Sequence, residues 1–225
     1  MRNRIGAFFD VDKTLIAENS GTLYVRHLWE QGEIDWRTAS GHLLAYLRYK
    51  LNLLNVEEFA ESTAADFAGR SEEELMAESR GWVDEVLLDL IYPEGRELVR
   101  KHLDAGHVVA FVSGATRYII EPLAEHLGVE HTMHTRLEVR KGLFTGRLVQ
   151  PVCFGEGKIY WLQQLIDHEN IELAKSYFYT DSITDQPLLD LVGHPVVVNP
   201  DPLLYRLAVR RCWPVRIFSP AESFA

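Results

Sequence analysis

The chain has 225 residues, 47% of them apolar and 25% charged, which is enough for a packed core in one elaborated domain or two small ones. Acidic residues outnumber basic ones 33 to 23, a net charge of −10, which argues against a general nucleic-acid or anionic-membrane binder. A small anionic ligand remains possible, because a metal ion and one lysine can reverse the field locally.

In chain order, "RIGAFF" (residues 4–9) reads as a short apolar strand. Its apolar run ends at Phe9, too short for a signal peptide, and no stretch approaches the ~18 uncharged apolar residues of a membrane span. No integral membrane segment is therefore expected. Residues 17–92 carry helical patterns such as "TLYVRHLWEQG", "ASGHLLAYLRYKLNLL", "VEEFAESTAADFAG" and "EEELMAESRGWVDEVLLDLI", punctuated by Gly32 and Gly69. From Pro93 the rhythm alternates. A helix ends at Gly106, "HVVAFV" is a buried strand, and "IIEPLAEHLG" is a helix that Pro122 should kink or start late. "RLEVRKGLFTGRL" reads as a hairpin turning near Lys141-Gly142, and "GKIYWLQQLIDH" as a helix. "SYFYT", "HPVVV" and "WPVRIF" read as strands, with "DQPLLDLV" and "PLLYRLAV" as helices between them. Strands alternating with helices predict an α/β fold with a doubly wound parallel sheet. The sheet comprises residues 1–16 and 93–225, and residues 17–92 form an inserted helical cap.

In such sheets ligands bind beyond the carboxyl ends of the strands. After the first strand come Asp10, Asp12 and Thr14. After "HVVAFV" come Ser113 and Gly114. After "SYFYT" come Asp181 and Asp185, and Lys158 opens the helix after "GEG". Each piece alone is ordinary: an aspartate at a strand end commonly caps a helix, and Ser-Gly commonly turns the chain. Together they supply what phosphoryl transfer needs, namely a nucleophile, carboxylates for a metal, and donors for phosphate oxygens.

The set "DVDKT" (10–14), "SG" (113–114), Lys158 and "DSITD" (181–185) resembles the haloacid dehalogenase superfamily of phosphatases, over almost the whole chain. Its closest branch looks like the phosphoserine-phosphatase-like group, subfamily IB. The resemblance implies a Mg²⁺-dependent phosphomonoester hydrolase acting on a small phosphorylated metabolite through an aspartyl-phosphate. Asp10 would be the nucleophile. Asp12 would protonate the leaving oxygen and later deprotonate water, with Thr14 orienting it. Mg²⁺ would sit among Asp10, the carbonyl of Asp12 and Asp181. Ser113 and Gly114 would hold phosphate oxygens, Lys158 would neutralise the carboxylates, and Asp185 would order metal waters. "DKT" also resembles the phosphorylated "DKTGT" of ion-pumping ATPases, but Leu15 and Ile16 stand where Gly and Thr would follow, which keeps Asp10 as the nucleophile. A phosphotransferase with an alcohol acceptor and a phospho-accepting signalling domain are the alternatives.

Substrate choice is expected in the cap. Glu18, Asn19 and Ser20 directly follow the first motif, and Arg26, His27, Arg37, His42 and Arg48 are further polar candidates. In phosphoserine phosphatases a glutamate near this point meets the substrate's ammonium. The corresponding residue here is Asn19, so phosphoserine is expected to be a poor substrate. The Leu/Tyr-rich segment 43–54 is expected to pack within the bundle or to meet an apolar substrate or surface. Cys153 and Cys212, with neither a CxxC nor a companion histidine pattern, fit reduced thiols in a cytoplasmic protein.

Overall fold

The computed structural model describes residues 3–32, 34, 36, 40–41, 44 and 56–220. At its centre lies β1 (Gly6–Phe9), every residue of which is buried. It lies between β2 (Val108–Thr116) and β5 (Tyr177–Thr180), parallel to both. A continuous apolar run is what a strand covered on both faces requires. Beyond β2 lie β3 (His131–Arg140) and β4 (Leu143–Val149). Beyond β5 lie β6 (His194–Val198) and β7 (Val215–Arg216), giving the order β4-β3-β2-β1-β5-β6-β7. All pairings are parallel except the β3–β4 hairpin. Its turn falls at Lys141 and Gly142, both in the left-handed region at φ 53° and 78°, as a tight two-residue turn demands.

The pleat splits the core into two layers. Phe9, Phe111 and Tyr179 pack on one face with α4 (Pro93–Asp104) and α5 (Arg117–His126). Phe8, Val112 and Phe178 pack on the other with α6 (Glu156–Glu169), α7 (Gln186–Leu189) and α8 (Pro202–Arg211). α5 begins at Arg117 and runs through Pro122, so the late start expected there is not observed; the proline costs the bond to the Tyr118 carbonyl. The strand expected over "WPVRIF" shrinks to two residues on the sheet edge, where the carbonyls of Pro214 and Arg216 accept from Val197 and Asn199.

Between β1 and α4 lie α1 (Ser20–Glu30), α2 (Val56–Ala65) and α3 (Glu72–Trp82), then a π-helical turn at Val83–Leu87 and a 3-10 turn at Leu88–Leu90. The chain leaves and returns through a paired neck: Ala17 N–H donates to Leu90, Tyr92 N–H donates to Leu15, and Ile16 bridges Ile91. Backbone bonds also join this segment to the hairpin, from Gly69 N–H to Phe144, from Phe144 N–H to Arg70 and from Glu72 N–H to Gly142. Of segment 43–54 only Leu44 is among the described residues, and it is exposed. Arg37, His42 and Arg48 lie outside the described residues.

Candidate active site

β1 is where the winding of the sheet reverses, so its C-terminal end and that of β5 open onto the crevice between the two halves. Asp10 follows β1 directly, and its N–H donates to the Tyr179 carbonyl of β5. The next turn closes as the Thr14, Leu15 and Ile16 amides all donate to the Val11 carbonyl. Lys13 takes φ 61° within it, and its N–H donates to the Glu18 carbonyl. Asp181 follows β5, and its backbone carbonyl accepts from Asp201.

Lys158 lies in the first turn of α6 and is 2% exposed. Its Nζ donates to Asp10 Oδ1 at 2.9 Å and to Asp185 Oδ2 at 2.7 Å. The same Asp185 oxygen also accepts from Thr180 Oγ1 at 2.6 Å. The approach of α6 is tight: a Cβ on Gly157 would lie 1.9 Å from the Val152 carbonyl oxygen, so only glycine fits before the lysine. Burial opposes the ammonium charge, yet Asp10 and Asp185 hold its pKa above the ordinary lysine range.

The carboxylates are crowded. Burial first, then Asp185 and Asp12, raise Asp10 to about 7 against the pull of Lys158. Burial, then Asp10 and Asp185, raise Asp181 to about 8. Among the described residues only Oδ1 of Asp10 has a hydrogen-bond partner, and the Asp181 carboxylate accepts no hydrogen bond. Two buried carboxylates short of donors, facing one buried ammonium, suit a divalent cation. Among the described residues no three carboxylate, imidazole or thiolate side chains form a cage. Two such carboxylates suit a hard cation that keeps several of its waters.

Asp12 is oriented differently from expectation. Its Oδ2 accepts from Asn19 Nδ2 at 2.9 Å and its Oδ1 from the Ser20 amide at 3.0 Å. The Thr14 hydroxyl, fully buried, makes no hydrogen bond, so the orientation comes from the start of α1 and not from Thr14. Asn19 is also the N-cap of α1. Glu18 is exposed, Arg26 pairs with Glu30 in solvent, and His27 stacks with Tyr24.

Ser113 and Gly114 belong to β2 itself, within the irregularity in its pairing with β3 between Val112 and Thr116. Ser113 Oγ accepts from the Ala115 amide at 3.2 Å, and Gly114 is exposed. Sequence reasoning missed Thr180 and Asp201. Asp201 caps α8 and accepts from the Ile183 amide at 2.7 Å, fixing the 181–185 loop. An Asp-Pro pair before an apolar periodic run signals such a cap, but not its reach across to another loop. Cys153 is a buried free thiol whose pKa burial pushes up to about 12, and Cys212 is free and exposed.

The model of the haloacid dehalogenase-like hydrolase family matches residues 7–190. Phosphoserine phosphatase SerB1 of Mycobacterium tuberculosis (strain ATCC 25618 / H37Rv) is 35% identical over 97% of this chain and 72% of that protein. Histidinol-phosphatase of Neisseria meningitidis serogroup C (strain 8013) is 34% identical over 94% of this chain and 98% of that one. A protein of unknown function from Bordetella pertussis Tohama I has a crystal structure that superposes with a TM-score of 0.88 at 32% identity, covering 96% of this chain and 99% of that one. A substrate-bound phosphoserine phosphatase shares the fold at TM-score 0.70 and 18% identity, over 98% and 95% of the two chains.

Proposed function

The chain belongs to the haloacid dehalogenase-like hydrolases and is an enzyme of their phosphatase kind, and on that premise we propose a Mg²⁺-dependent hydrolase of small phosphomonoesters working through an aspartyl-phosphate. The observation that carries the reading is Lys158 bridging Asp10 and Asp185 beneath the β1 and β5 strand ends, with Asp12 and Asp181 alongside. Residues 17–92 serve as the cap and residues 1–16 and 93–225 as the core, a division the paired neck at 15–17 and 90–92 supports. Two free thiols fit a cytoplasmic setting.

Asp10 attacks phosphorus with its free Oδ2, while Lys158 holds Oδ1 and favours the ionised carboxylate beside an incoming dianion. Asp12 gives its proton to the leaving oxygen and later takes one from the water that cleaves the acyl-phosphate. The Ser113 hydroxyl and Gly114 N–H hold phosphate oxygens. Asp185 keeps Lys158 in place, and its unpartnered Oδ1 is available to order a metal water. Asp10, Asp181 and the Asp12 carbonyl would hold Mg²⁺, which supplies charge neutralisation between the carboxylates and the phosphate.

Relatives named for phosphoserine and for histidinol phosphate set two candidate substrates. Where phosphoserine phosphatases carry a glutamate that meets the substrate's ammonium, this chain has Asn19, whose amide is engaged by Asp12 and Thr22; no carboxylate is supplied there for an ammonium, and an unpaired desolvated charge costs several kcal/mol. We therefore rank L-phosphoserine below esters with a larger or less cationic head. The test is free-phosphate release from a phosphomonoester panel that includes both compounds, with Mg²⁺ and with EDTA. A best rate on phosphoserine refutes the ranking, full activity in EDTA refutes the metal, and turnover only with an added alcohol acceptor indicates a transferase.

A further inference from the structure

We propose that Asn19 is a positioning residue for Asp12, locking the proton-transfer carboxyl onto the first turn of α1, and not a contact for the substrate's head group. The inference rests on the phosphatase reading and refines one of its parts.

Asn19 sits at the N-cap with extended backbone, φ −88° and ψ 116°. Its Oδ1 accepts from both the amide and the hydroxyl of Thr22, each at 2.9 Å. An amide side chain has one acceptor end and one donor end. Because the cap demands the acceptor, the donor end is turned the other way, and there it meets Asp12 Oδ2 at 2.9 Å. The adjacent Ser20 amide takes Asp12 Oδ1 at 3.0 Å. Both oxygens of Asp12 are therefore fixed by consecutive residues of one helix start, and the Asn19 oxygen, the end an ammonium would need, has both its acceptor positions filled by Thr22. Aspartate or glutamate at this position would offer only acceptors and would set a second negative charge against Asp12. Glycine would tolerate the cap but offer nothing to Asp12.

The consequence is specific to one step. When the phosphorus–oxygen ester bond breaks, its electron pair goes to the leaving oxygen, which takes the proton from Asp12 as Asp10 forms the new bond to phosphorus. An alkoxide leaves poorly without that proton, whereas p-nitrophenolate is a stable anion and leaves without it. Loosening Asp12 should therefore penalise alkyl esters selectively. The quantity to read is kcat/KM, which reports the steps up to leaving-group departure and omits the later hydrolysis common to both ester types.

The experiment compares wild type, Asn19→Asp and Asn19→Gly on glycerol 2-phosphate, p-nitrophenyl phosphate and the ammonium-bearing L-phosphoserine with Mg²⁺ at one pH, with melting curves to confirm folding. Aspartate keeps the capping oxygen and loses the donor, and glycine loses both. General acid catalysis is worth ~10²–10⁴-fold, so both variants should lose at least ~10-fold more on the alkyl ester than on the aryl ester. Equal losses on the two esters would overturn the proposal, as would no loss. It would also fall if losses were confined to ammonium-bearing substrates and spared glycerol 2-phosphate, since that pattern marks a head-group contact. Turnover of none of these esters by the wild type would overturn the phosphatase reading itself.

Discussion

Replacing Lys158 with methionine keeps the length and the apolar stem of the side chain while removing two charge-assisted bonds, at 2.9 Å to Asp10 and 2.7 Å to Asp185. The lysine is 2% exposed, so no water takes over either role. Breaking a buried ion pair from one side typically costs ~3–5 kcal/mol, because the abandoned carboxylates stay desolvated. For a chain of this size each kcal/mol shifts Tm by ~2–4 °C, so Lys158→Met should melt about 6–20 °C lower at neutral pH. Activity should fall far more than for removal of the exposed Lys175, since Asp10 can escape its unpaired charge only by protonation, which silences a nucleophile. The double variant Lys158→Met/Asp185→Asn separates the two effects. With one of the abandoned charges removed, it should recover a good part of the lost stability and none of the activity. Thermal melts and phosphate release are the assays. A single-variant cost below ~1 kcal/mol would refute the buried-bridge argument, because that is the range of exposed pairs. Restored turnover in the double variant would refute the role of Lys158 at Asp10.

Asp10→Asn should abolish turnover and phosphoenzyme formation, whereas Asp12→Asn should still accumulate a phosphoryl adduct on Asp10 from an activated ester. Mass spectrometry of the labelled peptide checks the pair, and an adduct on residue 12 would reverse the roles. Asp10 and Asp181, at about 7 and about 8, bind protons more tightly in the folded chain than at their ordinary 3.8. Their contribution to metal-free stability is thus full below about pH 4 and is lost as pH rises through about 7–8. His102 works in the opposite direction: burial first, then His107 and other nearby cations, lower it to about 4, so its contribution is lost as pH falls from its ordinary 6.5 through about 4. The rise in Tm on adding Mg²⁺ largely cancels the His102 part, and it should be larger at about pH 8 than at about pH 5, because the cation binds the ionised carboxylates. An increment independent of pH would contradict this. Gly157→Ala forces the Val152 carbonyl to move from a 1.9 Å approach, so it should lower activity by displacing Lys158. Wild-type kcat/KM in that variant would show that the turn adapts.

The local code carried much of this protein. The all-apolar "GAFF" announced a central strand, because a strand covered on both faces cannot alternate, and Lys141-Gly142 announced its hairpin, because the turn needs two left-handed residues. The acidic motifs were legible as a site because strand ends in a wound sheet share one edge, so order along the chain converts into proximity. Which partner each acid takes could not be read that way. Lys158 reaches Asp10 across 148 positions, and Asp201 reaches Ile183 across 18, distances that only the packing of helices on the sheet decides. The same holds for the neck and for the backbone bonds tying Gly69, Arg70 and Glu72 to the hairpin, since backbone groups carry no residue label that marks their partners. Asn19 shows the limit most sharply. Counting from Asp10 placed it at the substrate, because a sequence records spacing and residue type but not direction. The helix cap consumes its oxygen locally, and the fold of the turn after β1 brings Asp12 to its nitrogen.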